Sequence, residues 1–383
     1  MGLGVVAGII FGERATVVQP LGDLFIRLLM MAAIPLVFFN LMGGLTSLTD
    51  LKSLGRISLK ISLFYLFTIL LALCLGLVTM HILKPGKGIH LTEEVQDTFG
   101  NIPGITEALV NMVPDNIFRA FSSGQMAQIV VFAVFLAVAI LLLPVEQRQP
   151  LSTAFQQLAV LFRKLVSLIL CISPLGIGAL TAVTVGQYGS SIFGPLAVFL
   201  CGIWGTQALM VVIYMILLYA FTKQSPFTFL RLTAPLYATT VSTCSSLASL
   251  AVALEVAEDR LKLPKSIYSF TLPLGAQLNK TGTSIMLVGV LLFTAQASGV
   301  EFSLASQVSI VLVGLLLETG SGGIPGGGLV IALIFVKAFD LPLEIAAIVG
   351  GVYRLIDMGI TTINCMGDMV GTFIVAHSEK KFK

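Results

Sequence analysis

The stretch Leu272-Pro-Leu-Gly-Ala-Gln-Leu-Asn-Lys-Thr-Gly-Thr-Ser284 interrupts an apolar segment with an amide, an ammonium, hydroxyls, two glycines and a proline. In lipid every backbone polar group needs an internal partner, so an interruption of this kind persists only where it lines protein or a water-filled cavity. An ammonium near the bilayer centre costs about 2.5–3.5 kcal/mol on insertion scales, which makes Lys280 the most expensive residue of the stretch. The stretch therefore predicts a buried functional site inside a membrane protein.

The composition of the whole chain favours an all-α polytopic membrane protein. Of its 383 residues, 56% are hydrophobic and only 11% are charged, whereas soluble domains carry about 25% charged residues. The formal charge of +3 is small and its positive side chains lie in loops and at the C-terminal tail, so nucleic-acid binding has no support. The five cysteines form no CxxC and the three histidines no pair at ligand spacing. We therefore expect no disulfide framework, no metal enzyme and no cofactor other than a coupling ion, Na⁺ or H⁺.

The apolar segments before residue 225 predict several membrane spans. They cover residues 21–45, 56–83, 128–143, 151–185 (with a break at Ser173-Pro174) and 195–221. A polar stretch at 85–119 predicts a loop. The apolar run 2–12 is shorter than the about 20 residues that a span needs, so either the first helix is shortened or the chain begins inside it. Lysines and arginines in the short loops and the tail place the C-terminus in the cytoplasm.

Two polar inserts beyond residue 225 predict re-entrant helical hairpins. The inserts 239–249 and 318–328 are rich in small or hydroxylated residues, and each lies between apolar halves too short to span the bilayer. Paired broken elements of this kind point to a transporter site at an inverted-repeat interface. Close packing of helices through small residues is the alternative, but it does not require Pro325 among glycines next to Glu318.

The last apolar segment carries a polar face. Asp357, Thr361, Asn364 and Asp368 are spaced by four, three and four residues, so they lie on one side of a helix. A solvated surface stripe is the alternative, but the apolar residues between them favour an enclosed helix. Two carboxylates, a hydroxyl and an amide facing one way inside an apolar segment predict a functional face.

These features and six short stretches resemble the dicarboxylate/amino acid:cation symporters, the glutamate transporter family. The stretches are 20–27 (PLGDLFIR) followed by 35–38 (PLVF), 111–116 (NMVPDN) with 128–132 (QIVVF), 173–177 (SPLGI) and 268–275 (YSFTLPLG). The resemblance runs almost from end to end. It implies an elevator-type transporter of the cytoplasmic membrane, surrounded by lipid, with eight transmembrane helices, two re-entrant hairpins and a homotrimeric assembly.

The resemblance also implies two domains. The scaffold would comprise residues 1–55 (spans 1–2) and 85–221 (spans 4–5, with the polar loop 85–119). The transport domain would comprise residues 56–84 (span 3) and 222–383 (span 6, hairpin 1 around 239–251, span 7, hairpin 2 around 318–328 and span 8).

The family's substrate site carries over to both hairpins and the last two spans. Its positions here are Ser245 and Ser246 in hairpin 1, Thr283 in span 7, Ile324 and Gly328 in hairpin 2, and Asp357, Ile360, Thr361 and Asn364 in span 8. Asp357 falls where the family binds a substrate amino group, and Thr361 and Asn364 fall where it holds the substrate's amine and carboxylate. Hairpin 1 departs from the family, with Leu247 for a serine and Ala251 for a proline.

One departure predicts the substrate. The arginine with which the family pairs a substrate side-chain carboxylate is Ile360 here. A buried carboxylate without a partner is costly, so we expect a neutral, small or apolar amino acid. Arg354 is the nearby cation that would serve instead, although an ion pair with Asp357, three residues on, is equally open.

The family's cation sites are altered more deeply. The positions are Tyr65, Thr68, Gly275, Asn279, Lys280, Thr281, Glu318, Ser321 and Asp368. One sodium site survives in composition, formed by Gly275, Asn279, Asn364 and Asp368. The family signature Asn-Met-Asp-Gly-Thr reads Asn-Lys-Thr-Gly-Thr at 279–283, so Thr281 lacks the carboxylate of a second site, where Ile69 also replaces a serine. In the third site Lys280 replaces the methionine and Glu318 replaces a serine.

The two new charges suggest a tethered cation. The hypothesis is that the Lys280 ammonium stands where a sodium ion would bind and pairs with Glu318 or Asp368. The alternative is that Lys280 extends into a watery cavity. A tethered lysine returns with the carrier and moves no net charge, so transport would be proton-coupled, a uniport or an exchange. Conventional Na⁺- or H⁺-coupled dicarboxylate or glutamate symport remains the alternative.

Other functional classes find less support. A channel would need the polar inserts to line a continuous pore, and a receptor-like binding protein is not excluded. An enzyme is not predicted, because the apolar segments hold no Ser/His, Cys/His or HExxH arrangement.

Overall fold

A computed structural model describes residues 2–46, 51–87, 110, 113–123, 125–188, 193–318 and 327–379. Within these ranges every regular element is helical. The predicted all-α class is therefore confirmed for the part of the chain that the structure describes.

The helices differ widely in length. In chain order they are α1 (Gly2–Phe11), α2 (Gln19–Thr46), α3 (Leu51–Leu83), α4 (Ile117–Ser123), α5 (Met126–Leu142), α6 (Val145–Cys171), α7 (Ser173–Tyr188), α8 (Phe193–Thr222), α9 (Pro226–Thr243), α10 (Ser246–Glu255), α11 (Lys265–Leu278), α12 (Thr281–Ala297), α13 (Leu304–Glu318), α14 (Gly327–Ala338), α15 (Leu343–Ile348) and α16 (Tyr353–Ser378). Short 3-10 or π-helical turns follow α1 (Gly12–Val18), α10 (Val256–Arg260) and α15 (Val349–Gly351).

Within the described ranges, four segments are long and apolar enough to cross a membrane. They are Arg56–Leu83, Phe193–Thr222, Lys265–Ala297 and Tyr353–Ser378. Their burial separates them: 94% of the most apolar window of Lys265–Ala297 lies inside the protein, against 39% for Phe193–Thr222. The chain is a multi-pass membrane protein, and the segment that carries Lys280 is the most enclosed of the four.

The helix boundaries follow the predicted spans closely. The predicted break at Ser173-Pro174 falls at Ile172, between α6 and α7. The short first run forms α1, which ends at Phe11. Residues 88–109 and 111–112 of the predicted loop lie outside the described residues, and the loop prediction extends too far, because α4 already begins at Ile117.

The predicted turn of hairpin 1 joins α9 to α10. Cys244 has a left-handed backbone with φ +50°, which ends α9. Ser245 then caps α10, since its hydroxyl accepts the Ala248 N–H at 3.2 Å. The apolar halves predicted for hairpin 2 correspond to α13 and α14, and residues 319–326 between them lie outside the described residues.

The two hairpins have their bases at opposite ends of α3. The ring of Phe229, near the start of hairpin 1, lies 5.5 Å from Phe373 in the last part of α16, the helix end whose Glu379 pairs with Arg56 of α3. Gln307, near the start of hairpin 2, lies 3.4 Å from His81 at the other end of α3. The two predicted hairpins therefore begin at opposite ends of α3.

The helices pack in two groups. The first contains α1, α2 and α4–α7, and the second contains α3, α8–α12 and α16. Both arms of hairpin 2 contact α5, α14 also contacts α2, and α15 contacts α7, so these elements lie between the groups. The predicted domain division at 221/222 assigns α8 to the first group, yet α8 packs on α16, α3 and α12. The rings of Phe199 and Phe293, 5.1 Å apart, are part of that contact.

A cluster of ion pairs fastens the end of α16 to α3. Glu379 accepts from Lys60 at 2.7 Å and from Arg56. Its side chain is only 3% exposed, while that of Arg56 is 75% exposed. Hydrogen bonds from these two cations lower the pKa of the Glu379 carboxyl.

Candidate functional site

The break in the long buried segment forms the floor of the candidate site. The Asn279 N–H closes the last turn of α11 on the Gly275 carbonyl at 2.8 Å. The backbone then leaves the helical region at Asn279 and Lys280, and α12 begins at Thr281. All three side chains are buried. Two helix ends, one carbonyl-rich and one N–H-rich, therefore meet at a single point inside the protein.

The residues predicted for a surviving sodium site are brought together. The Asn279 amide donates to Asp368 Oδ1 at 2.9 Å and to the Asn364 carbonyl at 3.1 Å. A side chain at Gly275 would overlap Asp368 and the Tyr65 phenol, so only glycine fits between them. The Asn364 carboxamide oxygen accepts the Gly282 N–H at 2.7 Å. This oxygen-rich cluster joins both halves of the broken segment to α16.

Lys280 makes a contact that the sequence did not reveal. Its ammonium donates to the Ala276 carbonyl at 2.6 Å, and the residue is 2% exposed. Ala276 belongs to the last turn of α11, where carbonyl groups carry the negative end of the helix dipole. Asp368 and Glu318 both lie within electrostatic reach of the ammonium. The cation is thus held by a backbone oxygen, with two carboxyl groups nearby.

The predicted ion pairs of Lys280 are not formed in this structure. Among the described residues, the ion pairs within 4.0 Å join Glu379 to Arg56 and Lys60, and Asp115 to Arg119. Glu318, the last residue of α13, is fully buried beside Lys280 and Ser284. The charges are close enough to compensate one another without closing into a direct contact.

Thr281 fills the position of the missing carboxylate with a neutral hydrogen-bond chain. Its hydroxyl donates to Asn279 Oδ1 at 2.8 Å and accepts from the Tyr214 phenol at 2.9 Å. The predicted Tyr65 and Thr68 lie nearby, with the Tyr65 phenol donating to the Thr271 carbonyl at 3.1 Å and the Thr68 hydroxyl to the Tyr65 carbonyl at 3.1 Å. Each side-chain oxygen in this series of hydrogen bonds has a partner within the protein.

Hairpin 1 lies along α16. The Thr240 and Thr362 hydroxyls are 2.9 Å apart, and Ser246 lies near the Cys365 thiol. Arg354 donates to the Ser242 carbonyl at 3.0 Å, among the last carbonyls of α9. The guanidinium therefore caps hairpin 1, a use that neither prediction for Arg354 included.

Asp357 is buried and lies against hairpin 2. Its Oδ1 accepts from the Tyr353 phenol at 3.0 Å. A Cβ built on Gly328 would lie 2.6 Å from that phenol oxygen and 3.5 Å from the Thr283 methyl. The predicted substrate residues Thr283, Gly328 and Asp357 are thus adjacent, and Asn364 joins them through its amide, 3.4 Å from the Thr283 hydroxyl.

The remaining predicted residues divide into two sets. Ile360 and Thr361 are each 3% exposed, and a side chain at Gly282 would collide with the Ile360 backbone, so α12 and α16 touch at this level. Ser321 and Ile324 lie outside the described residues, together with the rest of the hairpin 2 tip.

Sequence reasoning missed Tyr214, Tyr353 and the Ala276 carbonyl. The two tyrosines are aromatic residues in apolar helices, where packing is the ordinary expectation. Tyr353 had one usable signal, its position four residues before Asp357 on the polar face. A backbone carbonyl leaves no trace in residue identity.

Comparison with known proteins finds a matching family and relatives that are named as transporters. The Sodium:dicarboxylate symporter family matches residues 1–378. The chain is 29% identical over 388 residues to the C4-dicarboxylate transport protein of Bacillus subtilis (strain 168), which covers 99% of this chain and 92% of that protein. It is 28% identical over 392 residues to the proton/sodium-glutamate symport protein of Geobacillus stearothermophilus, with coverages of 99% and 93%. It is also 28% identical over 375 residues to the proton/glutamate-aspartate symporter of Escherichia coli (strain K12), with coverages of 95% and 86%.

The resemblance drawn from the sequence motifs is thereby confirmed, as is the expectation of a transporter and not an enzyme. A small-molecule substrate and coupling cations follow from that class. The chain belongs to the sodium:dicarboxylate symporter family.

Proposed function

We propose that this chain is a secondary transporter of neutral amino acids in which the Lys280 ammonium replaces a coupling sodium ion. The observation that carries the proposal is the position of that ammonium, buried at the carbonyl end of α11 with Nζ 2.6 Å from the Ala276 oxygen. A hard cation such as Na⁺ would seek the same oxygen-rich surroundings, formed by backbone carbonyls and carboxylates.

The replacement alters the energetics of transport. A sodium ion that enters down 100 mV contributes about 2.3 kcal/mol to uptake. The charge of Lys280 is covalently attached, so it crosses and returns with the carrier and contributes nothing net per cycle. Coupling would then come from a proton, or the cycle would be a uniport or an exchange.

The substrate proposal rests on the side chains around Asp357. Ile360 is buried where the family resemblance places an arginine, and Arg354 is engaged with the Ser242 carbonyl. An acidic substrate side chain would therefore find no cationic partner at position 360. Asp357 and Asn364 retain the acceptors and donors that an α-amino acid needs.

The architecture that we propose has eight spans, two re-entrant hairpins, an elevator mechanism and a homotrimeric assembly in the cytoplasmic membrane, with a cytoplasmic C-terminus. The two packing groups support a scaffold and a moving domain. We propose that α8 moves with the second group, because it packs on α3, α12 and α16. Hairpin 2 contacts both groups, as a gate between them would.

Counterflow in proteoliposomes tests the function. Vesicles loaded with unlabelled substrate are given labelled alanine, serine, leucine, aspartate or succinate, in sodium, in choline and under a pH gradient. We expect exchange-stimulated uptake of a neutral amino acid in sodium and in choline alike. Strict dependence on external sodium, or equal uptake of aspartate and alanine, would contradict the proposal.

Conventional symport is the second candidate. The cluster of Gly275, Asn279, Asn364 and Asp368 keeps the composition of a sodium site, and the relatives bear the names of dicarboxylate and glutamate carriers. Uptake of succinate or aspartate driven by sodium in the same assay would favour it.

A further inference from the structure

The first turn of α16 contacts both hairpins through neighbouring residues. Tyr353 extends toward hairpin 2, and Arg354 donates to the Ser242 carbonyl at the end of the first arm of hairpin 1. Asp357 follows one turn later on the face of Tyr353, with 3.0 Å between the phenol oxygen and Oδ1. The helix turn that precedes the proposed amine-binding residue Asp357 therefore contacts both predicted hairpins.

The contact with hairpin 2 is close and polar. Tyr353 is 7% exposed, so its phenol is enclosed by protein. Gly328 lies directly against that oxygen, which leaves no room for a side chain. The phenol is thus held between the start of α14 and the Asp357 carboxylate to which it donates.

We propose that Tyr353 is a positioning residue that is held against the start of α14 and fixes the orientation of the Asp357 carboxylate that receives a substrate ammonium. The inference rests on the proposed function, since the ammonium is that of an amino-acid substrate.

The direction of the hydrogen bond gives the positioning its physical basis. A phenol has one hydrogen, and Asp357 is an acceptor when ionised, so the hydrogen points to the carboxylate. This charge-assisted bond orients the carboxylate that receives the ammonium, and the contact with Gly328 holds the phenol in place. We therefore expect substrate affinity to fall when the hydroxyl is removed.

The test removes the hydroxyl and keeps the ring. Tyr353→Phe is compared with Tyr237→Phe, a matched control whose phenol accepts from Thr233 within hairpin 1. Calorimetric titration of the purified, full-length protein with alanine, serine, valine and leucine gives the dissociation constants. We expect about a tenfold weaker affinity for Tyr353→Phe, as for the loss of one hydrogen bond to a charged group, and less than a twofold change for the control.

A double-mutant cycle separates positioning from simple loss of packing. If Tyr353 acts through Asp357, then Tyr353→Phe combined with Asp357→Asn binds no more weakly than Asp357→Asn alone. Gly328→Ala probes the same contact from the hairpin, since its methyl group would meet the phenol oxygen, and it should weaken binding in the same direction. If Tyr353→Phe fails to fold, Gly328→Ala still tests the contact.

The outcomes distinguish this inference from the proposed function. A wild-type protein that binds none of the four amino acids overturns the proposed function and this inference with it. A wild-type protein that binds normally, with Tyr353→Phe unchanged or with losses that add in the double variant, overturns this inference alone.

Discussion

Two lysines of this protein, Lys60 and Lys280, are stabilised in opposite ways. Lys60 lies in the first third of α3, partly exposed, and forms an ion pair with the largely buried Glu379 at 2.7 Å. Lys280 is enclosed and bonds to a backbone carbonyl, with carboxyl groups near but outside ion-pair distance. The first is stabilised by a partner and by water, and the second only by the surrounding protein. An exposed pair contributes little to stability, whereas an enclosed charge is retained at a cost, and so indicates a role in function.

Removing the enclosed charge should have the largest effect. Lys280→Met leaves Asp368 and Glu318 buried without their compensating cation, so we expect the loss of about 3–5 kcal/mol of stability and of substrate counterflow. Thermal unfolding of the purified protein measures the first, and proteoliposomes the second. Lys60→Met is the matched control and should cost at most about 1 kcal/mol. Equal destabilisation by Lys280→Met and Lys60→Met would contradict the proposed difference between the enclosed and the partly exposed lysine.

Rebuilding the sodium site should test whether Lys280 replaces a sodium ion. Lys280→Met combined with Thr281→Asp restores the residue types that the family resemblance expects at 280 and 281, so we expect sodium-dependent binding to appear. Lys280→Met alone should not restore it, because Thr281 lacks a carboxylate. Calorimetric titration with NaCl, with choline chloride as the control salt, measures the outcome. Sodium binding by the single variant at the affinity of the double one would count against the assignment.

Introducing a second enclosed cation at position 360 should change which substrate the protein prefers. Ile360→Arg places a guanidinium where a substrate carboxylate could pair with it, and a hydrogen bond to a charged group is worth about 1.5–3 kcal/mol. We expect aspartate to be preferred over alanine by about tenfold or more in competition assays. Ile360→Met, of similar volume, is the control and should keep the original preference. Unchanged selectivity in the arginine variant would show that this position does not face the substrate.

The ion pairs at Glu379 should show the smallest effect, as a dependence of stability on pH. Arg56 and Lys60 lower the pKa of Glu379, so the ion pairs contribute stability above the unfolded pKa and lose it as the pH falls through the folded one. We expect a small decrease in the unfolding temperature at acid pH, absent in Glu379→Gln. A decrease of the same size in both proteins would assign the acid sensitivity to other carboxyl groups.

The features that could be predicted from the sequence are those that depend on the local spacing and type of residues. The spacing of Asp357, Thr361, Asn364 and Asp368 defined one face of α16, and all four are buried on it. The small-residue insert at 239–249 predicted the turn at Cys244. Both follow from local rules, because helix geometry alone decides which side chains share a face.

The parts that the sequence did not predict depend on the path of the backbone. The partner of Lys280 is a carbonyl, and which carbonyl it reaches depends on how α11 ends. Arg354 bonds to the Ser242 carbonyl, 112 residues away in the chain. The grouping of α8 was equally hidden, since a long apolar helix carries no mark of the neighbours that it packs against.

The central claim, that Lys280 stands in for a coupling sodium ion, is tested most directly by sodium flux. Proteoliposomes that hold the wild-type protein are given an inward gradient of a transported amino acid in the presence of radioactive sodium. We expect no sodium uptake above that of protein-free vesicles, while the amino acid enters. Sodium entering in a fixed ratio to the amino acid would contradict it.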